Sequence, residues 1–171
     1  MPNPTPDRPY MPDYGLAASD EGLLPWSWAE ARLTTARNFW LATVRPDGRP
    51  HLMPIWAVYL EGVIYFSCGG ESRKAKNLRT DPRCVIAAEV TGKPAGVSVE
   101  GTAAVVRDST LIARIAAIYT EKYDFRVYAT ATGIAIEPDD NEGDPLWVIQ
   151  PTVAFGNDED FTQTTTRWRF A

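Results

Sequence analysis

Hydrophobic and polar positions change rhythm several times along this chain, and each change marks an element. Pro25 opens the stretch WSWAEARLTTAR, where Trp28, Ala31, Arg32 and Thr35 recur at helical spacing and predict a short amphipathic helix ending near Asn38. From Phe39 the rhythm is that of strands: FWLATV, a turn at RPDG, RPHLMPIWAVYL, a turn at Glu61-Gly62, then VIYFS. The short connections make these three runs an antiparallel meander. Pro50 and Pro54 cannot donate to a ladder, so the middle run must be an edge, be bulged, or lack partners on one side. The loop CGGE leads into SRKAKNLRTDP, a helix capped by Ser72, with Ala75 and Leu78 inward and Pro82 ending it. Strands CVIAAEV and VSVEGTAAVV follow around a TGKPAG loop. Asp108 or Ser109 then caps a helix over STLIARIAAIYTEKY, with Leu111, Ile115 and Ile118 on one face. Residues 123–144 have no clear rhythm: a run of small residues (ATATGIA), then EPDDNEGD, an acidic surface loop by composition. LWVIQ and TVAFG predict a last strand or pair, broken at Pro151, before the tail TTTRWRFA.

Helices in this order do not alternate one-for-one with strands, which argues against a doubly wound parallel sheet. A mainly β fold is expected: a small antiparallel barrel with peripheral helices. Residues 1–22 hold five of the 14 Pro and read as an extended or mobile arm that packs late, leaving 23–171 as one domain.

Composition narrows the function. Six Trp, seven Tyr and six Phe favour sheets and flat ligand pockets. The formal net charge of -5 argues against non-specific nucleic-acid binding. One His and two Cys are too few for a protein-built metal site, so none is expected. No stretch reaches the roughly 18 apolar residues of a membrane span. The Pro-rich start lacks the apolar core of a secretory signal, so a cytoplasmic protein with Cys68 and Cys84 reduced is expected.

Charge is unevenly placed. Residues 71–83 carry Arg73, Lys74, Lys76, Arg79 and Arg83 against Glu71 and Asp81, whereas 123–171 carry nine acids against three Arg. The cations gather where Gly69-Gly70 meets a helix start, whose free amides and positive dipole end suit an anion. Arg73 and Lys74 oppose that dipole unless a phosphate cancels the repulsion. A solvated basic helix pairing with the acidic loops is the other reading these residues allow. Hydrolytic machinery is missing: Ser98 in GVSVEG sits mid-strand without the second glycine of a nucleophile elbow, and His51 is the only imidazole. A bound flavin needs little from a protein beyond binding, orientation and polarity, and an aromatic-rich barrel with one anion-binding helix start suits a flat, phosphorylated cofactor.

The segments FWLATVRPDGRPHLMPIW, YFSCGGESRKAKNLRTDPRCVIAAE and VSVEGTAAVV resemble the pyridoxamine-phosphate-oxidase-like split-barrel family, also called the flavin/deazaflavin oxidoreductases. The resemblance runs through residues 36–107 and resumes over 145–170. It implies a homodimer of six-stranded antiparallel split barrels with a cofactor cleft at the subunit interface, holding FMN or the deazaflavin F-420. It also assigns roles: Ser72, Arg73 and Lys74 hold the phosphate, and the strand His51–Trp56 (including Met53, Pro54 and Ile55) lines the ring. Phe66 and Ser67 complete that frame, and the tail offers Arg167, Trp168 and Arg169. Gly96 stands where the vitamin B6 oxidases carry Gln, Phe155-Gly156 replaces their Phe-Trp, and their R-L-H motif has no counterpart in TRWRF. Oxidation of pyridoxamine phosphate is therefore not expected. The function implied is hydride transfer between FMN or F-420 and a small flat organic substrate. The alternative is a non-catalytic flavin, haem or tetrapyrrole storage protein of the same fold.

Overall fold

Six runs of apolar or alternating residues close into one antiparallel barrel, with helices laid against it. The computed structural model describes residues 3–88, 95–137 and 142–171. Strand β1 (Thr5–Asp7) and helix α1 (Trp26–Thr35) precede β2 (Phe39–Val44), β3 (Pro50–Ile55), β4 (Ala57–Leu60) and β5 (Val63–Ser67). Then come α2 (Arg73–Thr80), β6 (Arg83–Ala88), β7 (Gly96–Val105) and α3 (Ser109–Tyr123). The chain finishes with β8 (Val127–Ala129), β9 (Gly133–Ile136), β10 (Asp144–Asn157), α4 (Phe161–Thr164) and β11 (Thr166–Arg169). The TGKPAG loop falls largely outside the described residues, as does part of the acidic loop.

The ladder runs β3–β2–β6–β7–β10–β5–β4, every pair antiparallel. Only Trp56 separates β3 from β4, so the two ends of this path are one continuous stretch, residues 50–60. The ring closes through the covalent chain at Trp56 rather than through a ladder, and counting that stretch once gives six strands. This is the split antiparallel barrel the sequence implied. Its edge lies where proline demanded one: β3 pairs with β2 alone. The β4–β5 hairpin has a two-residue loop, Glu61 (φ 52°) and Gly62 (φ 90°), the pair of positive φ values that fits the twist of its strands. β10 is one 14-residue strand rather than two; Pro151, which has no N–H to donate, is absorbed by a register shift between Pro151 and Val153.

Alternation sorts the residues. In β2, Phe39, Leu41 and Thr43 are buried while Trp40 and Val44 are exposed. Phe39, Leu41, Phe66, Ile86, Val99 and Ile149 fill the barrel without solvent contact, each contributing about 1.5–3 kcal/mol of hydrophobic burial. Helix α1, where the helical spacing predicted one, covers this core with Trp26, Ala29 and Leu33. Trp28 lies beside it, stacked near Trp168 and donating to Asp158 at 2.7 Å. On α3 the inward face is Ile112, Ile115, Ala116, Tyr119 and Tyr123, with Leu111 and Ile118 at its margin. Asp108 caps α3 by accepting from the amides of Thr110 and Leu111. The N-terminal arm is tied down over Thr5–Asp7, which pair with β11. No described helix is long and apolar enough to cross a membrane.

Candidate functional site

The turn after β5 builds a cationic corner. The Ser72 amide donates to the Gly69 carbonyl, and the Ser72 hydroxyl accepts from the amide of Ala75, so α2 starts as the sequence predicts. Its first turn carries no acid and two cations, Arg73 and Lys74. Further along, Lys76 and Arg79 lie 3.1 and 4.0 Å from Glu71. Arg73 and Lys74 make no ion pair among the described residues.

His51 on β3 belongs to the same corner. Burial, then the positive charges of Arg45, Lys74 and Arg73, hold its pKa below the ordinary imidazole value. Its Nδ1 lies 3.5 Å from the Thr43 hydroxyl, which also accepts from Asn77 Nδ2 at 2.9 Å. Thr43 and Asn77 are both buried, so α2, β2 and β3 are joined by a polar chain under the corner. Two polar atoms here have no partner: Asn77 Oδ1 and the buried Nε of Arg45. An orphaned guanidinium nitrogen and two unpaired first-turn cations are what an anion would satisfy.

Next to this corner lies a cavity of about 370 Å³ with Ser67 and Asp144 in its lining. Pro54, Ile55, Trp56, Tyr119 and Phe125 line it, together with Val127, Ile134, Ala135 and Ile136 of the β8–β9 hairpin. Trp56, 47% exposed, has ring centroids 5.0 Å from Phe125 and 5.3 Å from Tyr123. The kink at Trp56 is fixed by backbone contacts: the Tyr119 hydroxyl donates to the Trp56 carbonyl at 2.8 Å, and the Tyr123 hydroxyl accepts from the Ala57 amide at 2.9 Å. Burial pushes the Tyr123 phenol up to about 12 and the Tyr119 phenol well above its usual value, so both act here as hydroxyl groups and not as bases. Lys122 Nζ donates to the Ala57 carbonyl at 2.9 Å, and burial brings its pKa down to about 8.

The expected site residues therefore divide. His51, Ser72, Arg73 and Lys74 meet at the corner, and Pro54, Ile55, Trp56 and Ser67 line the cavity. Met53 lies on β3 between the two groups, 41% exposed. Phe66 does not face the cavity: its ring is fully buried and stacked on Trp147. Trp168 is likewise a core residue, donating to the Leu24 carbonyl at 3.1 Å and packed edge-on to Trp26. Arg167 is held by Asp7 through two bonds of 2.7 Å, and Arg169 reaches the same carboxylate at 3.1 Å. Arg167 borders a different hollow, with Tyr10, Phe155 and Gly156. The alternation of a barrel turns Phe66 inward, and the pairing of β11 with β1 binds the tail.

Sequence reasoning missed Arg45, Asn77, Tyr119, Phe125 and the β8–β9 residues. A polar Asn between the inward Ala75 and Leu78 was the available signal for a buried network. Arg45, three residues before Gly48 in the same turn as the Asp47–Arg49 pair, carried none.

Residues 28–152 match the sequence model of the family described as pyridoxamine 5'-phosphate oxidase. No curated protein matches the chain. Among solved structures, a conserved hypothetical protein from Mycobacterium tuberculosis is 25% identical, with a TM-score of 0.64 over 85% of this chain and 90% of that one. An F-420 reductase is 23% identical (TM-score 0.59, 73% and 94% covered). The haem storage protein HutZ from Vibrio cholerae is 21% identical (TM-score 0.55, 73% and 87% covered). These likenesses agree on the fold.

Proposed function

We propose that this chain, which belongs to the pyridoxamine 5'-phosphate oxidase family, is a homodimeric oxidoreductase that binds FMN or F-420 and acts on a small flat organic substrate. The observation that carries this reading is the meeting of Arg45, His51, Arg73 and Lys74, without an ion-paired carboxylate among the described residues, beside a cavity lined by aromatic rings. Arg73, Lys74 and the Ser72 helix start would hold the phosphate. Pro54, Ile55, Trp56 and Ser67 would take a flat ring. Either cofactor supplies hydride transfer; the chain's own residues bind, orient and exclude water. Trp56 and Phe125 offer stacking faces, and the hairpin adds the apolar side chains of Val127, Ile134 and Ile136 to the lining. The outer face of the barrel supports pairing with a second copy: Trp40 and Leu52 are 42% and 56% exposed and Val44 lies beside them, more apolar surface than scattered single residues would leave.

The non-catalytic reading keeps one observation in its favour. Among the described residues, Asp144 and Tyr119 are the only ionisable side chains lining the cavity, and Tyr119 is engaged with backbone. HutZ of Vibrio cholerae, on the same fold, is a haem storage protein. In this chain the one imidazole is tied to Thr43 among cations, a poor setting for a haem ligand.

Fluorescence titration of the purified protein with FMN and with F-420 tests the proposal, with sedimentation of the same preparation giving its assembly state. Binding tighter than about 100 micromolar, roughly -5.5 kcal/mol, is expected for one of the two. Failure of both would remove the phosphate site, turnover of no acceptor by the bound, reduced cofactor would favour storage, and a monomer would overturn the dimer.

A further inference from the structure

The corner contains a group that a phosphate site does not require. Guanidinium and ammonium groups keep their charge at neutral pH, whereas an imidazole has a choice. His51 is placed so that this choice depends on what occupies the site.

Consider first the proton. Thr43 Oγ1 already accepts the Asn77 amide hydrogen at 2.9 Å, so its own hydrogen is free to point along the 3.5 Å line to His51 Nδ1. That arrangement suits a neutral ring with its proton on Nε2. Consider next the charges around it. Arg45 faces it from the β2–β3 turn, and Arg73 and Lys74 face it from α2. β2 contributes only the neutral Thr43. The nearest carboxylate on its own hairpin, Asp47, is engaged by Arg49 at 2.7 Å. Three cations, with no free acid among the described residues acting on His51, make a fourth positive charge unfavourable in the absence of an anion. The same three cations, with the partnerless Nε of Arg45 among them, would hold an anion. Once held, that anion reverses the local field, and the second charge of a phosphate monoester is best met by one more cation.

We propose that His51 is a proton-linked arm of the anion site: neutral in the free protein, it takes up one proton when a phosphate group binds beside Arg45, Arg73 and Lys74. The inference rests on the phosphate site of the preceding section. Its consequence is a preference by charge. A monoester such as FMN brings two negative charges and draws the proton strongly, whereas a phosphodiester such as F-420 brings one and draws it less. The sign follows from linkage: with the bound form holding the extra proton, affinity rises as pH falls, by up to about tenfold per pH unit between the free and bound imidazole values.

Because the chain has a single His, its imidazole resonances are unique in a proton–carbon NMR spectrum. We would follow them against pH in the free protein and with saturating FMN, then F-420, in wild type and His51→Gln. The expected result is a free midpoint below the ordinary value of 6.5, raised by a unit or more with FMN and by less with F-420. The wild-type affinity for FMN should then fall more steeply with rising pH than that of His51→Gln, whose profile keeps only the ligand's own titration. If both cofactors bind, and Arg73→Ala/Lys74→Ala weakens them, but the midpoint does not move, the phosphate site stands and the proton-linked role of His51 is overturned. If the double substitution leaves binding intact, the phosphate site itself fails, and this inference with it.

Discussion

Two ends of this molecule carry arginines close to glycines and aromatic rings, and they behave oppositely. At the start of α2, Arg73 and Lys74 stand without an ion pair, and Arg45 adds a third cation with an unpartnered Nε. At the end of the chain, Arg167 and Arg169 converge on one carboxylate, Asp7, brought across by the pairing of β1 with β11. Both clusters look equally available in the linear chain. Their difference is made by a partner 160 positions away. A cation's readiness for a ligand is a property of what the fold leaves unpaired around it, and local charge density does not report it.

The largest effect should come from the unpaired end. Substituting Arg73 and Lys74 together with Ala removes charge-assisted phosphate bonds of about 1.5–3 kcal/mol each, so cofactor affinity should fall by about a hundredfold or more. Stability should respond in the other sense. Cations in the first turn of a helix oppose its dipole, so their removal should leave the melting point unchanged or slightly raised. A structural basic helix predicts the reverse, with affinity intact and stability reduced. Measuring both on one variant separates the readings.

The paired end should respond through stability. Hydrogen bonding to Arg167, and secondarily to Arg169, holds the Asp7 carboxyl below the usual range. A group depressed in the folded state contributes stability that is complete above its ordinary value of 3.8 and is lost as pH falls below it. Asp7→Asn should therefore cost about 0.5–1 kcal/mol near neutral pH, after allowing for the solvent around these half-exposed groups. Its melting curve should converge on that of the wild type in acid. Cofactor affinity should stay put. A loss of affinity in this variant would show that the tail takes part in the site after all, and would dissolve the contrast between the two ends.

How far the sequence carried follows the same division between local and distant causes. FWLATV, VIYFS and the Ser72-capped helix were legible because their signals are local: alternation, a hairpin pair at Glu61-Gly62, an N-cap, a terminating proline. The cationic corner was legible to the extent that Gly69-Gly70, Ser72, Arg73 and Lys74 are contiguous. The cavity was half legible. Pro54, Ile55 and Trp56 lie in one run, but Tyr119 and Phe125 come from a helix end and the loop after it, and β8–β9 is two short strands, VYA and GIAI, whose Val127 and Ile134 pack with α3. Trp168 came to the site only through the resemblance of the TRWRF tail to the family; here α1 folds over it and buries it completely. The identity of the partner that Arg167 chooses could not be read without knowing that β1 and β11 pair.

The finest test of the contrast lies within α2 itself. Glu71 sits one residue before the cap and holds Lys76 at 3.1 Å, with Arg79 at 4.0 Å, so the helix contains a small version of the paired end beside its unpaired start. Both partners keep Glu71 below its usual carboxylate range, Lys76 more than Arg79. All three side chains are exposed, and screening limits what they can do at a distance. Glu71→Gln would release Lys76 and Arg79 and remove one negative charge from the approach to Arg73 and Lys74. Affinity for FMN should then rise by about two- to threefold at low ionic strength, with the gain disappearing at about 0.5 M salt, where the Debye length is only a few ångströms. A gain that persists in salt would mean that Lys76 or Arg79 touches the ligand directly, and would extend the anion site from the first turn of α2 to its whole exposed face.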